Sequence, residues 1–201
     1  MSMLTRQDFQ EIVKLEGQVR GSALNTDAAC IKSQEGREGL HRVEQRFRML
    51  GYPLEYRHIK DMGWYPISLR VLSLCIMKDV FKLDDSDMKK MGDTAPKFSF
   101  IVKVFMKFTN LRDIALDNVP GYWRMHYSVG DMNVGEINEN KGYVTVQLVD
   151  FNIHPILCAY FEGYFRRLLQ FGFVDGHLDS EETKCIHRGD VSHEYRISWK
   201  K

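Results

Sequence analysis

Cys185, His187 and His193 lie close together near the C-terminus, and a thiolate with two imidazoles is a donor set that suits zinc. They fall on Thr183-Lys-Cys-Ile-His-Arg-Gly-Asp-Val-Ser-His-Glu-Tyr-Arg-Ile-Ser-Trp199. In that run His193, Tyr195, Ile197 and Trp199 alternate with Glu194, Arg196 and Ser198, the period of a half-buried strand. A hairpin turning at Arg188-Gly189-Asp190 would bring the three side chains together, but no fourth ligand stands out and the spacing is not that of a zinc ribbon. No metal site is therefore assigned, and Cys185 reads as a small buried hydrophobe. Arg188-Gly189-Asp190 is taken as a tight turn and not as an adhesion tripeptide.

Other catalytic signatures are missing. The sequence has no Gly-x-x-x-x-Gly-Lys phosphate loop, no Gly-x-Gly-x-x-Gly, no His-Glu-x-x-His and no Gly-x-Ser-x-Gly elbow. A non-enzymatic role without a cofactor is expected. Cys30, Cys75, Cys158 and Cys185 are scattered with no Cys-x-x-Cys pair, and the N-terminus lacks an apolar leader, so free thiols in a reducing cytoplasm are expected.

The elements that must carry these residues follow from periodicity. Leu40, Val43, Phe47 and Leu50 form one face of an amphipathic helix ended by Gly51. Trp64-Tyr65-Pro66 introduces a helix over Ile67 to Phe81 that is apolar around most of its circumference. Asp84-Asp85-Ser86 caps a short helix ending near Gly92, and a further helix is expected over Lys97 to Phe108. Trp123, Met125, Tyr127 and Val129 alternate with Arg124, His126 and Ser128, which predicts a strand with the first set facing helices. After a Gly- and Asn-rich loop from Gly130 to Gly142 comes a second strand, Tyr143 to Phe151, then a helix from Pro155 to Phe171. The order predicts an α+β fold, an antiparallel β-sheet packed with a helical layer.

Length and composition agree with one domain spanning 1–201, with residues 1–16 as an N-terminal extension. Hydrophobic residues make up 44% and charged residues 27% of the chain. Lys plus Arg number 28 against 27 Asp plus Glu, so no net field favours nucleic acid or anionic lipid. The apolar run from Ile67 to Phe81 is interrupted by Ser68, Arg70, Ser73, Lys78 and Asp79, which argues against stable membrane insertion.

Trp64-Tyr65-Pro66 before the apolar helix, Gly121-Tyr-Trp-Arg-Met-His-Tyr-Ser128 and Cys185 with Gly189-Asp190 and Trp199 resemble short stretches of the 4-vinyl reductase domain. That module belongs with the haem nitric-oxide-binding domains and the vesicle-tethering TRAPP subunits. The resemblance implies a small-molecule pocket, a fatty acyl chain in TRAPP-like relatives, and pairing into a homodimer. Haem in the nitric-oxide sensors is held by a helical His and a Tyr-x-Ser-x-Arg motif. Here Tyr127-Ser128 has no matching Arg, and His154 and His41 are poorly placed as proximal ligands.

The expected function is thus a cytoplasmic sensory or carrier domain holding a hydrophobic small molecule such as a fatty acid, with a downstream signalling protein as partner. Its pocket would be lined by Leu72, Cys75, Ile76, Phe98, Ile101, Val102 and Phe105, with Tyr65, Trp123 and Tyr127 near the mouth. The alternatives are a structural interaction module without ligand, or a tetrapyrrole or haem-binding sensor.

Overall fold

The computed structural model describes residues 4–99, 102, 119–172 and 176–200. A short helix α1 (Arg6–Ile12) opens the chain, and Thr5 and Asp8 exchange side-chain-to-backbone hydrogen bonds across its first turn. Strand β1 (Gln18–Arg20) then leads into α2 (Gly21–Met49), two helical stretches joined at a kink at Gly36, whose φ of 70° suits glycine. Strand β2 (Trp64–Pro66) pairs antiparallel with β1 and feeds α3 (Ile67–Phe81).

α3 is the centre of the helical layer. Every residue from Ile67 to Leu74 is buried, because α1, α2, β1, β2 and the long C-terminal helix all pack on it. Its apolar circumference is covered within one chain, so this helix by itself calls for no partner copy.

α4 (Asp85–Phe98) begins at Asp84, which forms a reciprocal cap with Asp87, as the sequence implied. It does not stop at Gly92. The helix continues through Gly92 and Pro96, because Gly92 is where α4 meets α6 (Ile156–Gly172) backbone to backbone. A methyl group on Gly92 would overlap the Tyr160 carbonyl, and one on Gly163 would overlap that of Lys89. Asp93 of α4 is then gripped by Arg166 at 2.5 Å and by Arg167. Ile101 and Phe105, and with them most of the helix expected over Lys97 to Phe108, lie outside the described residues.

The stretch expected as a strand from Trp123 to Val129 is not one. Residues Val119–Arg124 form helix α5, followed by a turn. Trp123 and Tyr127 are both buried because the turn after α5 keeps a helix-like i, i+4 spacing, the Tyr127 amide donating to the Trp123 carbonyl at 2.9 Å, and their rings stack at 4.2 Å. Met125, expected inside, is exposed, and His126, expected outside, is buried, while Arg124 is exposed as anticipated. The loop expected from Gly130 to Gly142 instead contains strand β3 (Asp131–Asn138). Gly135 serves that strand by leaving room for the Thr145 hydroxyl of its neighbour.

Strands β4 (Tyr143–Val149), β5 (Leu178–Lys184) and β6 (His193–Trp199) complete a four-stranded sheet of order β3-β4-β6-β5, antiparallel throughout. The α+β class, the α6 helix and the C-terminal hairpin stand as read from the sequence. α6 lies between α4 on one side and β5 and β6 on the other.

Gly92→Ala and Gly163→Ala are each expected to destabilise by about 3 kcal/mol or more through overpacking of the α4–α6 crossing. Gly121→Ala, whose added methyl meets nothing within 4 Å, is expected to be neutral or slightly stabilising. Urea unfolding followed by circular dichroism separates the two outcomes.

Candidate metal centre and buried polar cavity

Two clusters of polar side chains sit inside this frame. The first is on the sheet side of α6. Cys158 is one turn into α6, Glu182 is on β5, Cys185 follows β5, and His193 begins β6; their ligating atoms all lie within 4.8 Å of one another. The Cys158 and Cys185 sulfurs are 3.6 Å apart, and His193 Nδ1 is 3.9 Å from the Cys158 sulfur and 3.0 Å from Glu182 Oε1.

A strand places residues three apart on opposite faces, which would separate Glu182 from Cys185. A register shift between Glu182 and Lys184 inserts one residue against β6, and the extra residue turns Glu182 and Cys185 to the same side. The Cys185 amide donates to Asp190 Oδ2 at 2.7 Å, which fixes the turn behind it.

The imidazole of His193 is oriented from behind. Its Nε2 is 3.2 Å from the Phe151 carbonyl, an acceptor, so Nε2 carries the hydrogen and Nδ1 faces the cluster. There it meets a second acceptor, the Glu182 carboxylate. Only a cation between them, a proton on Nδ1 or a metal ion, reconciles the two. Burial, followed by the negative charge of Glu182, pushes the Cys158 thiol up; a divalent ion at this position would reverse that and hold the sulfur as thiolate. Arg188 Nη1 lies 3.1 Å from Glu182 Oε2.

Of the residues first considered for zinc, Cys185 and His193 are in this cluster. His187 is on the outer turn, its ring 5.4 Å from that of His193. The ligands missing from the sequence reading are Cys158, on a helix far back in the chain, and Glu182, hidden in a polar strand; the short gap from Glu182 to Cys185 was the available signal.

The second cluster lies between the helices. Asp27 of α2 and Arg70 of α3, both buried, form a two-pronged ion pair at 2.8 and 3.2 Å. Tyr160 of α6 donates to Asp27 at 2.6 Å, and Arg70 donates to the Tyr127 hydroxyl. Desolvation works against the guanidinium charge, but Asp27 together with Tyr160 and Tyr164 outweighs it and raises the Arg70 pKa. Beside the pair is a cavity of about 20 Å³, room for one water molecule. Thr26, Ser99, Tyr122, Tyr164 and His126 are among its lining. His126 Nδ1 is 3.1 Å from the Tyr122 carbonyl, and its Nε2 is buried without a partner. Burial pushes the His126 pKa down to about 4.

The described residues of the expected ligand site fall in several places. Trp123 and Tyr127 line the cavity, but Leu72 and Ile76 are closed core. Tyr65 is half-buried, with its hydroxyl accepting from the Lys60 amide, and Phe98 is exposed. Val102 is buried, its amide donating to Ser99 Oγ. Cys75 opens on a different feature, a surface groove of about 680 Å³ between α1, α3 and the start of α6, rimmed by Lys78, Asp79, Lys82, Asp84 and Asp85.

No protein-family model matches the chain, and no curated protein does. Solved structures do. The H-NOX protein from S. oneidensis in its Fe(II)NO state is 14% identical, with a TM-score of 0.66 over 90% of this chain and 99% of that one. An oxygen-binding H-NOX domain related to soluble guanylate cyclases gives 13% identity, a TM-score of 0.62 and coverage of 90% and 95%. The unliganded Fe(II) H-NOX protein from K. algicida gives 12%, 0.61, and 90% and 97%. The chain has the H-NOX fold. These comparisons carry the haem nitric-oxide-binding part of the resemblance seen in the sequence and nothing of its 4-vinyl reductase or TRAPP part. Among the described residues, no helix is long and apolar enough to cross a membrane.

Removing one partner of the buried pair, by Asp27→Asn or Arg70→Met, is expected to cost about 3–5 kcal/mol in urea unfolding, because the other charge is left unpaired. His126 adds a pH dependence. Its folded pKa lies below the unfolded value of 6.5, so the unfolded chain takes up the proton first and stability falls as pH drops from about 6.5 toward 4. The full loss is about 3 kcal/mol. His126→Gln should flatten the unfolding free energy across that window; an unchanged slope would assign the dependence to other groups.

Proposed function

We propose that the chain is a sensory domain of H-NOX architecture whose sheet and last helix are pinned by a zinc ion held by Cys158, Cys185, His193 and Glu182. The observation that carries the metal is the convergence of these four groups from α6, β5 and β6, with His193 turned toward the cluster by its hydrogen bond to Phe151. Two thiolates and an imidazole select a borderline-soft ion such as zinc over calcium or magnesium. Two thiolates and a carboxylate around a divalent ion leave one negative charge, which Arg188 offsets from 3.1 Å. The sensory part rests on the fold neighbours, which include an H-NOX protein in an Fe(II)NO state, an oxygen complex and a structure concerned with H-NOX activation.

Haem sensing is the second reading, and it is better supported than fatty-acid carriage. It draws on those neighbours and on His126, a buried imidazole whose Nδ1 is engaged and whose Nε2 faces a cavity unpartnered. Among the described residues the space does not fit the group. A cavity of about 20 Å³ walled by Trp123, Tyr127 and Phe161 has no seat for a porphyrin among the described residues, and no role is derived through one. An acyl chain fits no better, since Arg70, His126 and several hydroxyls line the same space.

Protein purified without chelator is expected to carry one zinc ion per chain by elemental analysis. Cys158→Ser and His193→Ala should lose it, and the wild type should lose several degrees of melting temperature on chelation. A wild-type protein that binds no zinc and melts identically with chelator would overturn the reading. Added hemin is expected to give no stoichiometric Soret band; a saturable band abolished by His126→Ala would establish the haem reading instead.

A further inference from the structure

We infer that Glu182 is a displaceable ligand, so that the metal centre has an exchangeable fourth position open to a small thiol; this rests on the zinc reading above. Three of the four ligands are alike in kind. Cys158, Cys185 and His193 form the Cys₂His set that, in catalytic zinc sites, leaves one position for water or substrate, whereas closed structural sites complete themselves with a fourth Cys or His. Here the fourth group is a carboxylate, the hardest donor of the set and the weakest match for zinc among thiolates.

The carboxylate is also divided between two cations. Glu182 Oε1 points at the cluster, 3.0 Å from His193 Nδ1, while Oε2 is held by Arg188 at 3.1 Å. Arg188 also donates to the Glu182 backbone carbonyl at 3.2 Å, so the guanidinium stays with Glu182 whichever way the carboxylate turns. A carboxylate already paired to a guanidinium donates less charge to the metal, and once released it has a partner waiting. Leaving therefore does not strand a buried charge.

There is also a way in. The side chains of Glu182 and His193 are 8% and 3% exposed, but that of Arg188 is 57% exposed. Arg188 stands on a single turn, Ile186–Arg188, closed by Gly189 in the left-handed region at φ 98°. Swinging this exposed side chain aside would open the centre to a compact ligand while the strands stay in place. A thiol fits best, because it returns a soft donor. In the exchange the zinc–oxygen bond to Glu182 breaks, a zinc–sulfur bond forms, the thiol proton goes to solvent, and Glu182 remains paired with Arg188.

The test uses the full chain with cobalt(II) in place of zinc, titrated with 2-mercaptoethanol and read by the sulfur-to-cobalt charge-transfer and d–d bands. The wild type is expected to gain charge-transfer intensity in a saturable step. Glu182→His, which closes the site as Cys₂His₂, should show none of this step. Arg188→Ala strengthens Glu182 as a donor and should raise the half-saturating thiol concentration several-fold. Zinc-edge X-ray absorption of the wild type, with and without thiol, reads the exchange without any variant: one oxygen neighbour is replaced by sulfur. A wild type whose bands and zinc neighbours do not change at saturating thiol overturns the exchangeable position while leaving the zinc centre intact. Absence of any thiolate-to-cobalt band before thiol is added overturns both.

Discussion

The ion pair between Asp27 and Arg70 is the constraint on which the helical layer depends. Two charges with almost no exposure persist there only because each is fully engaged: Asp27 by Arg70 and the Tyr160 hydroxyl, Arg70 by Asp27 and Tyr127. The four residues come from α2, α3, α6 and the turn after α5. Shape-insensitive hydrophobic burial would tolerate several ways of stacking these segments; a two-pronged pair with two phenols fixes one. Trp123, Phe151 and Phe161 then pack edge and face around Tyr127, which fills the space between the helices.

The second constraint is distance. Gly92 and Gly163 let α4 and α6 touch along their backbones, and Asp93, held by Arg166 and Arg167, fixes the rotation of one on the other. α6 is thereby set between the helical layer and the sheet. One face of it delivers Tyr160 to the buried ion pair, and another delivers Cys158 to the strands. One helix thus joins the polar core to the Cys158, Glu182, Cys185 and His193 cluster.

Fold and site speak separately here. The H-NOX fold is reproduced at 11–14% identity, yet the cavity between the helices is small, polar and walled by aromatic rings, while the Cys, His and Glu groups gather at the far side of α6. Among the described residues, the groups suited to hold a metal gather at the β5–β6 hairpin and not in the interhelical space.

The sequence by itself determined what is local and strongly periodic: α3, α6, the caps at Asp84 and Gly51, and the hairpin that turns at Gly189. The first half of α2 was not legible, because Ser22, Thr26 and Asp27 are buried on the face that periodicity expects to be apolar. Gly92 and Pro96 read as breaks, yet one permits a helix crossing and the other sits late in α4. Trp123 and Tyr127 fit both a strand alternation and an i, i+4 pair, and only the tertiary structure decided, ending α5 at Arg124 and placing Tyr127 in the turn beside β1. The candidate metal site depended most on tertiary structure. Two of its ligands stood in plain view on the hairpin, but Cys158 reaches them only because α6 lies across the sheet, and Glu182 only because an extra residue in β5 reverses the direction in which its side chain points.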